Sequence, residues 1–134
     1  MSAALAAGNS LVIKPSELGP IVPTELAALL EEAGVPTGVV NVVPGLGRTT
    51  GKSLSEHPGL AKIDVTGGTE TGRVIAGNAG RALIPVTAEL GGKAPVLVFD
   101  DADPEQAVAG ALFASFIATG QTCVQGARLL IQRG

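Results

Sequence analysis

The sequence contains no tryptophan, no tyrosine and only three phenylalanines. Without large aromatic side chains, any core must be assembled from Val, Ile, Leu and Ala. It also has a single cysteine and a single histidine. One cysteine excludes an internal disulfide. Cys123 and His57 together fall short of a zinc ligand set, so no metal is expected. No excess of positive charge is present: nine basic residues stand against twelve acidic ones, a net charge of -3. The basic residues are scattered, which argues against a nucleic-acid partner. Gly and Pro interrupt every apolar run before it reaches membrane-spanning length, so no membrane partner is expected either. Met1 to Asn9 is Ala-rich and lacks a positive start, unlike a signal peptide. Together with the lone cysteine this points to the cytoplasm.

What is present is an apolar chain, 46% hydrophobic over 134 residues. That is enough for one small core or for pieces of two, and it argues against disorder. Short apolar runs alternate with helical patterns. Strands are expected at Ser10–Lys14, Gly38–Val43, Ala61–Val65, Ile84–Ala88, Pro95–Phe99 and Arg128–Gln132. Helices are expected at about Pro23–Ala33, Arg48–Glu56, Thr69–Ala79 and from Asp103 to about Thr119. In the first, Leu26, Leu29, Leu30 and Ala33 share a face, and Gly34 suits the C-terminal cap. In the last, Asp103 caps, Pro104 suits the first turn, Gln106 completes a capping box, and Val108, Leu112 and Phe116 form the buried face. This rhythm predicts an α/β fold with a mostly parallel sheet.

Four places carry chemistry. Thr66-Gly-Gly-Thr-Glu-Thr-Gly72 is a glycine turn between a strand and a helix, where N–H groups could meet a phosphate. It matches neither the usual dinucleotide fingerprint nor a P-loop, and an ordinary tight turn explains it as well. Cys123 follows a long helix in a polar, glycine-containing break. It is either a reactive thiol or a small buried hydrophobe. Glu89, before Gly91-Gly92, is either a general base in a glycine-lined bend or a turn residue paired with Lys93. Lys14 ends a strand, where open α/β sheets bind ligands, or is a surface lysine. His57 receives no role.

In order and together, these segments resemble the aldehyde dehydrogenase superfamily. Ala4 to Glu17 is similar to its first cofactor strand, and Gly38 to Gly45 to its second. Thr66 to Gly72 resembles the pyrophosphate turn, Glu89-Leu-Gly-Gly-Lys93 the general-base motif, and Gly120-Gln-Thr-Cys123 with Arg128 the nucleophile motif. The resemblance covers essentially the whole chain. It implies a truncated Rossmann-like cofactor-binding domain with a parallel sheet over residues 1–90. Residues 91–134 would begin an α/β catalytic domain containing the nucleophile.

By the same resemblance, Lys14, Ser16 and Glu17 belong to the cofactor site, with Lys14 and Glu17 on the adenosine ribose. Gly67, Gly68 and Gly72 face the pyrophosphate, and Leu90 lies near the nicotinamide. NAD is the implied cofactor because Glu17 would repel a ribose phosphate, though many members accept NADP. Cys123 would add to an aldehyde to give a thiohemiacetal, with its own N–H as an oxyanion donor. Loss of hydride gives a thioester, and Glu89 activates the water that releases the carboxylic acid. The parent enzyme is expected to be a homo-oligomer acting on a small aldehyde.

The sequence departs from the family at Gly68, often Ser, and at Val65, usually Phe. Family members run several times longer. They supply an oxyanion-hole Asn, a further ribose carboxylate and most of the substrate tunnel from segments outside this sequence. The chain is therefore expected to be a central fragment and, alone, a poor catalyst. Two alternatives remain: a CoA-acylating semialdehyde dehydrogenase, which Glu89 argues against, and an inactive truncated paralogue.

Overall fold

The computed structural model describes residues 1–133. The chain divides into two units, Met1–Leu60 and Ala61–Gly134. The first contains α1 (Ser2–Ala6), β1 (Leu11–Ile13), α2 (Ile21–Glu32) and β2 (Val40–Val42). A turn of π-helix over Gly47–Gly51 then leads into α3 (Lys52–Ser55). The second contains β3 (Ile63–Gly67), α4 (Thr69–Arg81), β4 (Val86–Leu90), β5 (Ala94–Val98), α5 (Pro104–Phe116), a short 3-10 segment (Ile117–Gly120) and β6 (Gly126–Ile131).

The strands pair as β1–β2, β3–β4 and β5–β6, and every pair is parallel. Parallel neighbours cannot be joined by a hairpin, so each pair needs a crossover. α2, α4 and α5 provide these crossovers, making three successive βαβ units. The expected α/β class with parallel pairing is therefore what the chain adopts.

Local chemistry explains most boundaries. Asp103 accepts a bond from the Gln106 N–H at 2.9 Å, with Pro104 in the first turn, so α5 starts where its cap is. Gly34, at φ 98, follows the end of α2. Five expectations need correction. Glu89 lies within β4 rather than in a bend, because pairing with β3 continues to Gly67↔Leu90. α5 ends at Phe116, not near Thr119: Ala118, Thr119 and Gly120 all have positive φ (49, 59 and 71), which no right-handed helix accommodates.

Two more corrections concern the faces of helices. On α5, Ala107, Ala111 and Ala114 are half-buried, while Val108, Leu112 and Phe116 are exposed. This helix is apolar on all sides, and its small residues let it approach β5 and β6 closely. On α2, Ala27 and Leu30 are half-buried, but Leu26 and Leu29 stay exposed.

The pattern expected to give a helix over Arg48–Glu56 gives the π turn plus α3 instead. The short α1 had no counterpart in the sequence reading. Among the described Ala, Val, Leu, Ile, Met and Phe side chains, Ala79 and Ile84 are the buried ones, and Pro15 is buried beside Lys14 in sequence.

Candidate active site

Lys14 leaves the carboxyl end of β1. Its ammonium donates to the Gly45 carbonyl at 2.9 Å and to the Pro15 carbonyl, and stands 3.7 Å from the Glu17 carboxylate. Gly45 follows β2 with φ 150, and a Cβ there would lie 2.0 Å from Thr50 Oγ1. A Cβ on Gly51 would touch the Lys14 stem at 3.4 Å. The parallel pairing of β1 and β2 thus brings the two strand ends together, and the loop after β2 grips the lysine. An adjacent ammonium and carboxylate supply the donor and acceptor that a vicinal diol requires. The Ser16 hydroxyl instead accepts the Leu18 N–H at 3.2 Å, while its carbonyl accepts from Gly19. Ser16 therefore shapes the turn that presents Glu17.

In the second unit, β3 ends at Gly67 and α4 begins at Thr69. Gly68 is the N-cap residue of α4, and no side chain caps this end. A Cβ on Gly67 or Gly68 would meet nothing within 4 Å. The space beside these two glycines is thus open, and the helix dipole favours an anion at this end. Glu70, in that first turn, is ion-paired with Arg73. Gly72 is buried and plays a different part: a Cβ there would lie 2.6 Å from Leu90 Cδ2. Leu90 packs its side chain onto α4 at Gly72 while pairing in register with Gly67. Gly67, Gly72 and Leu90 thus form one cluster at the carboxyl ends of β3 and β4, where ligands bind in open α/β sheets.

Glu89 is exposed on β4, opposite Thr66. It forms no ion pair with Lys93 among the described residues. Beyond Leu90 the chain passes through Gly91 and Gly92 into β5. Gly92 approaches the loop that carries Cys123, since a Cβ there would lie 3.9 Å from the Cys123 carbonyl oxygen. Cys123 is a free, exposed thiol, not a buried filler. It follows the left-handed run Ala118–Thr119–Gly120 and precedes β6. Two further ties hold this region. Arg128 Nε donates to the Lys93 carbonyl at 2.9 Å, and the β5–β6 register slips by one residue between Ala94 and Pro95. Proline has no N–H to offer the ladder, and such bulges are common beside reactive groups.

The sequence-derived residues therefore fall into local groups. Lys14, Ser16 and Glu17 cluster in the first unit, while Gly67, Gly68, Gly72 and Leu90 cluster in the second. Glu89 and Cys123 flank the Gly91–Gly92 link. Gly45, Gly51 and Gly126 were missed. Their signal was a glycine near a strand end or, for Gly51, between two helical turns, too common to single out. Among the described residues no group of three or more His, Cys, Asp or Glu could hold a metal, and no helix is long and apolar enough to cross a membrane.

Solved structures share this fold. PnpE from Pseudomonas sp. WBC-3 is 48% identical, with a TM-score of 0.95 over 98% of this chain and 27% of its own. An aldehyde dehydrogenase from Bacillus cereus, solved as an NAD+ complex, is 41% identical, with a TM-score of 0.96 over 99% of this chain and 27% of its own. Betaine aldehyde dehydrogenase from Staphylococcus aureus, also with NAD+, is 42% identical, with a TM-score of 0.94 over 98% of this chain and 26% of its own. The chain spans about 27% of the length of the relatives PnpE and the B. cereus enzyme. The model of the aldehyde dehydrogenase family matches residues 1–134. With the strand–helix order, the glycine turn, Glu89 and Cys123 all falling within that match, the chain belongs to the aldehyde dehydrogenase family.

Proposed function

We propose that this chain carries the nucleophile, the general base and part of the dinucleotide site of an enzyme that oxidises a small aldehyde to a carboxylic acid with NAD(P)+. The observation that carries the reading is the approach of the Gly91–Gly92 link to the Cys123 carbonyl. It joins the strand bearing Glu89 to the loop bearing the lone thiol. By role, residues 1–90 form the cofactor-binding part and residues 91–134 open the catalytic part.

Bound NAD(P)+ supplies the hydride acceptor that makes the reaction an oxidation. The residues present fit it. The uncapped α4 start, with space beside Gly67 and Gly68, suits a pyrophosphate, and the Lys14–Glu17 pair suits a ribose diol. Gly72 and Leu90 support the turn from below, and Ser16 presents Glu17. The Glu17 carboxylate favours NAD over NADP, because it would repel a phosphate on that ribose.

Cys123 adds as thiolate to the aldehyde carbon. Its N–H is one donor for the oxygen that gains charge. Glu89 takes a proton from the water that releases the acid from sulphur. The same reading carries a cytoplasmic homo-oligomer with neither nucleic acid nor membrane as partner.

The test is covalent labelling with a thiol-reactive aldehyde analogue, located by mass spectrometry. The label should fall on Cys123, and NAD should change its rate. Glu89→Gln should leave labelling intact but slow release of the acyl group. Failure to label Cys123 sinks the reading. Acyl release that needs CoA would move the enzyme to the CoA-acylating branch.

A further inference from the structure

We propose that Ser115 is a positioning residue for the nucleophile, holding the exit of the loop that carries Cys123. The proposal rests on the reading of Cys123 given above. The loop runs from Gly120 to Gly126, and Ser115 is bonded to Gly126 at its exit. The half-buried Ser115 hydroxyl donates to the Gly126 carbonyl at 2.9 Å. The Ser115 carbonyl faces the other end: a Cβ on Gly120 would lie 3.4 Å from it.

A serine hydroxyl in a helix ordinarily returns to the carbonyl one turn back. Ser115 instead reaches eleven residues forward. Gly126 is itself buried and leaves no room for a side chain, since a Cβ there would lie 2.5 Å from Val96 Cγ2 and 3.0 Å from Ala114 Cβ. The exit of the loop is therefore fixed against β5 and α5, and the entry is set by the left-handed run before Gly120. Between these anchors the bonds are local: Gln121 N–H to the Ala118 carbonyl at 3.1 Å, and Gln125 N–H to the Thr122 carbonyl at 3.2 Å. The clamp at Ser115 thereby sets the direction of the Cys123 N–H and thiol.

The test compares the wild-type chain with Ser115→Ala and Ser115→Thr. It reads amide hydrogen exchange over residues 121–126 and the rate of Cys123 alkylation by iodoacetamide. Losing one hydrogen bond should speed exchange in the loop by about fivefold. Alkylation should accelerate in step, β5 should keep its protection, and Ser115→Thr, which keeps the hydroxyl, should stay near wild type. Three results would overturn the proposal: an alanine variant indistinguishable from wild type in both readouts, a threonine variant that behaves like alanine, or an acceleration spread evenly through α5 and β5. Neither readout uses an aldehyde or NAD. A failed clamp would leave the nucleophile reading standing, and a failed labelling experiment would leave the clamp standing.

Discussion

Leu83 occupies a position that glycine usually holds. The Ile84 N–H bonds to the Ala79 carbonyl at 3.0 Å and the Leu83 N–H to the Gly80 carbonyl at 3.2 Å, a Schellman ending to α4. That ending puts Leu83 at φ 56 with 90% of its surface exposed. An L-residue in this region costs about 1–2 kcal/mol, and the isobutyl group recovers little of it. The motif holds for another reason. It brings Ile84 back over Ala79, and among the described Ala, Val, Leu, Ile, Met and Phe residues these two are the buried ones, at 9% and 0% exposure. Leu83→Gly should therefore stabilise the chain by about 1 kcal/mol after allowing for glycine's greater unfolded-state entropy. The check is a urea melt in which the midpoint rises and the slope does not change.

At the scale of elements, the joint between α4 and β4 is glycine against leucine. Replacing an exposed helical glycine with alanine ordinarily stabilises by about 1 kcal/mol. Gly77, with nothing within 4 Å of its would-be Cβ, should behave that way. Gly72 should do the opposite, because its Cβ would enter the space of Leu90. Gly72→Ala is expected to destabilise by about 1–3 kcal/mol. In a Leu90→Ala background the same change should become neutral or favourable, and a double-mutant cycle would measure the coupling. Additive effects at Gly72 and Leu90 would show that the joint is not a packing contact.

The same elements show what the sequence could reveal. Asp103-Pro104 marked the start of α5, and the glycine turn marked the start of α4, because caps are local chemistry. Glu89 and Cys123 were singled out by residue type and by their order along the chain. The outward face of α5 was misjudged: a helix apolar on every side does not indicate which face meets the sheet. Strand pairing carried β4 through Glu89, a long-range effect that the Gly91–Gly92 pair conceals. Ala118 and Thr119 give no sign of left-handed backbone, since neither residue favours it.

Over the whole molecule, the apolar residues outnumber the places that bury them. Phe113 and Phe116 on α5 are 70% and 69% exposed. On β5, Val96 and Val98 are half-buried, while Leu97 and Phe99 beyond its end are exposed. Parallel strands are apolar on both faces because both are normally covered, and a helix apolar all round is normally interior. The purified chain should therefore bind a hydrophobic dye and associate at micromolar concentration, since exposed apolar patches of this kind drive association. The α5 surface can be isolated as one source. Phe113→Ser with Phe116→Glu alters the outer side and leaves the Ala107–Ala111–Ala114 side intact. The double variant should lower dye binding and shift sedimentation towards the monomer, with circular dichroism keeping its helical signal. If association persists undiminished while the helix is retained, the apolar faces of the strands, not α5, are the source.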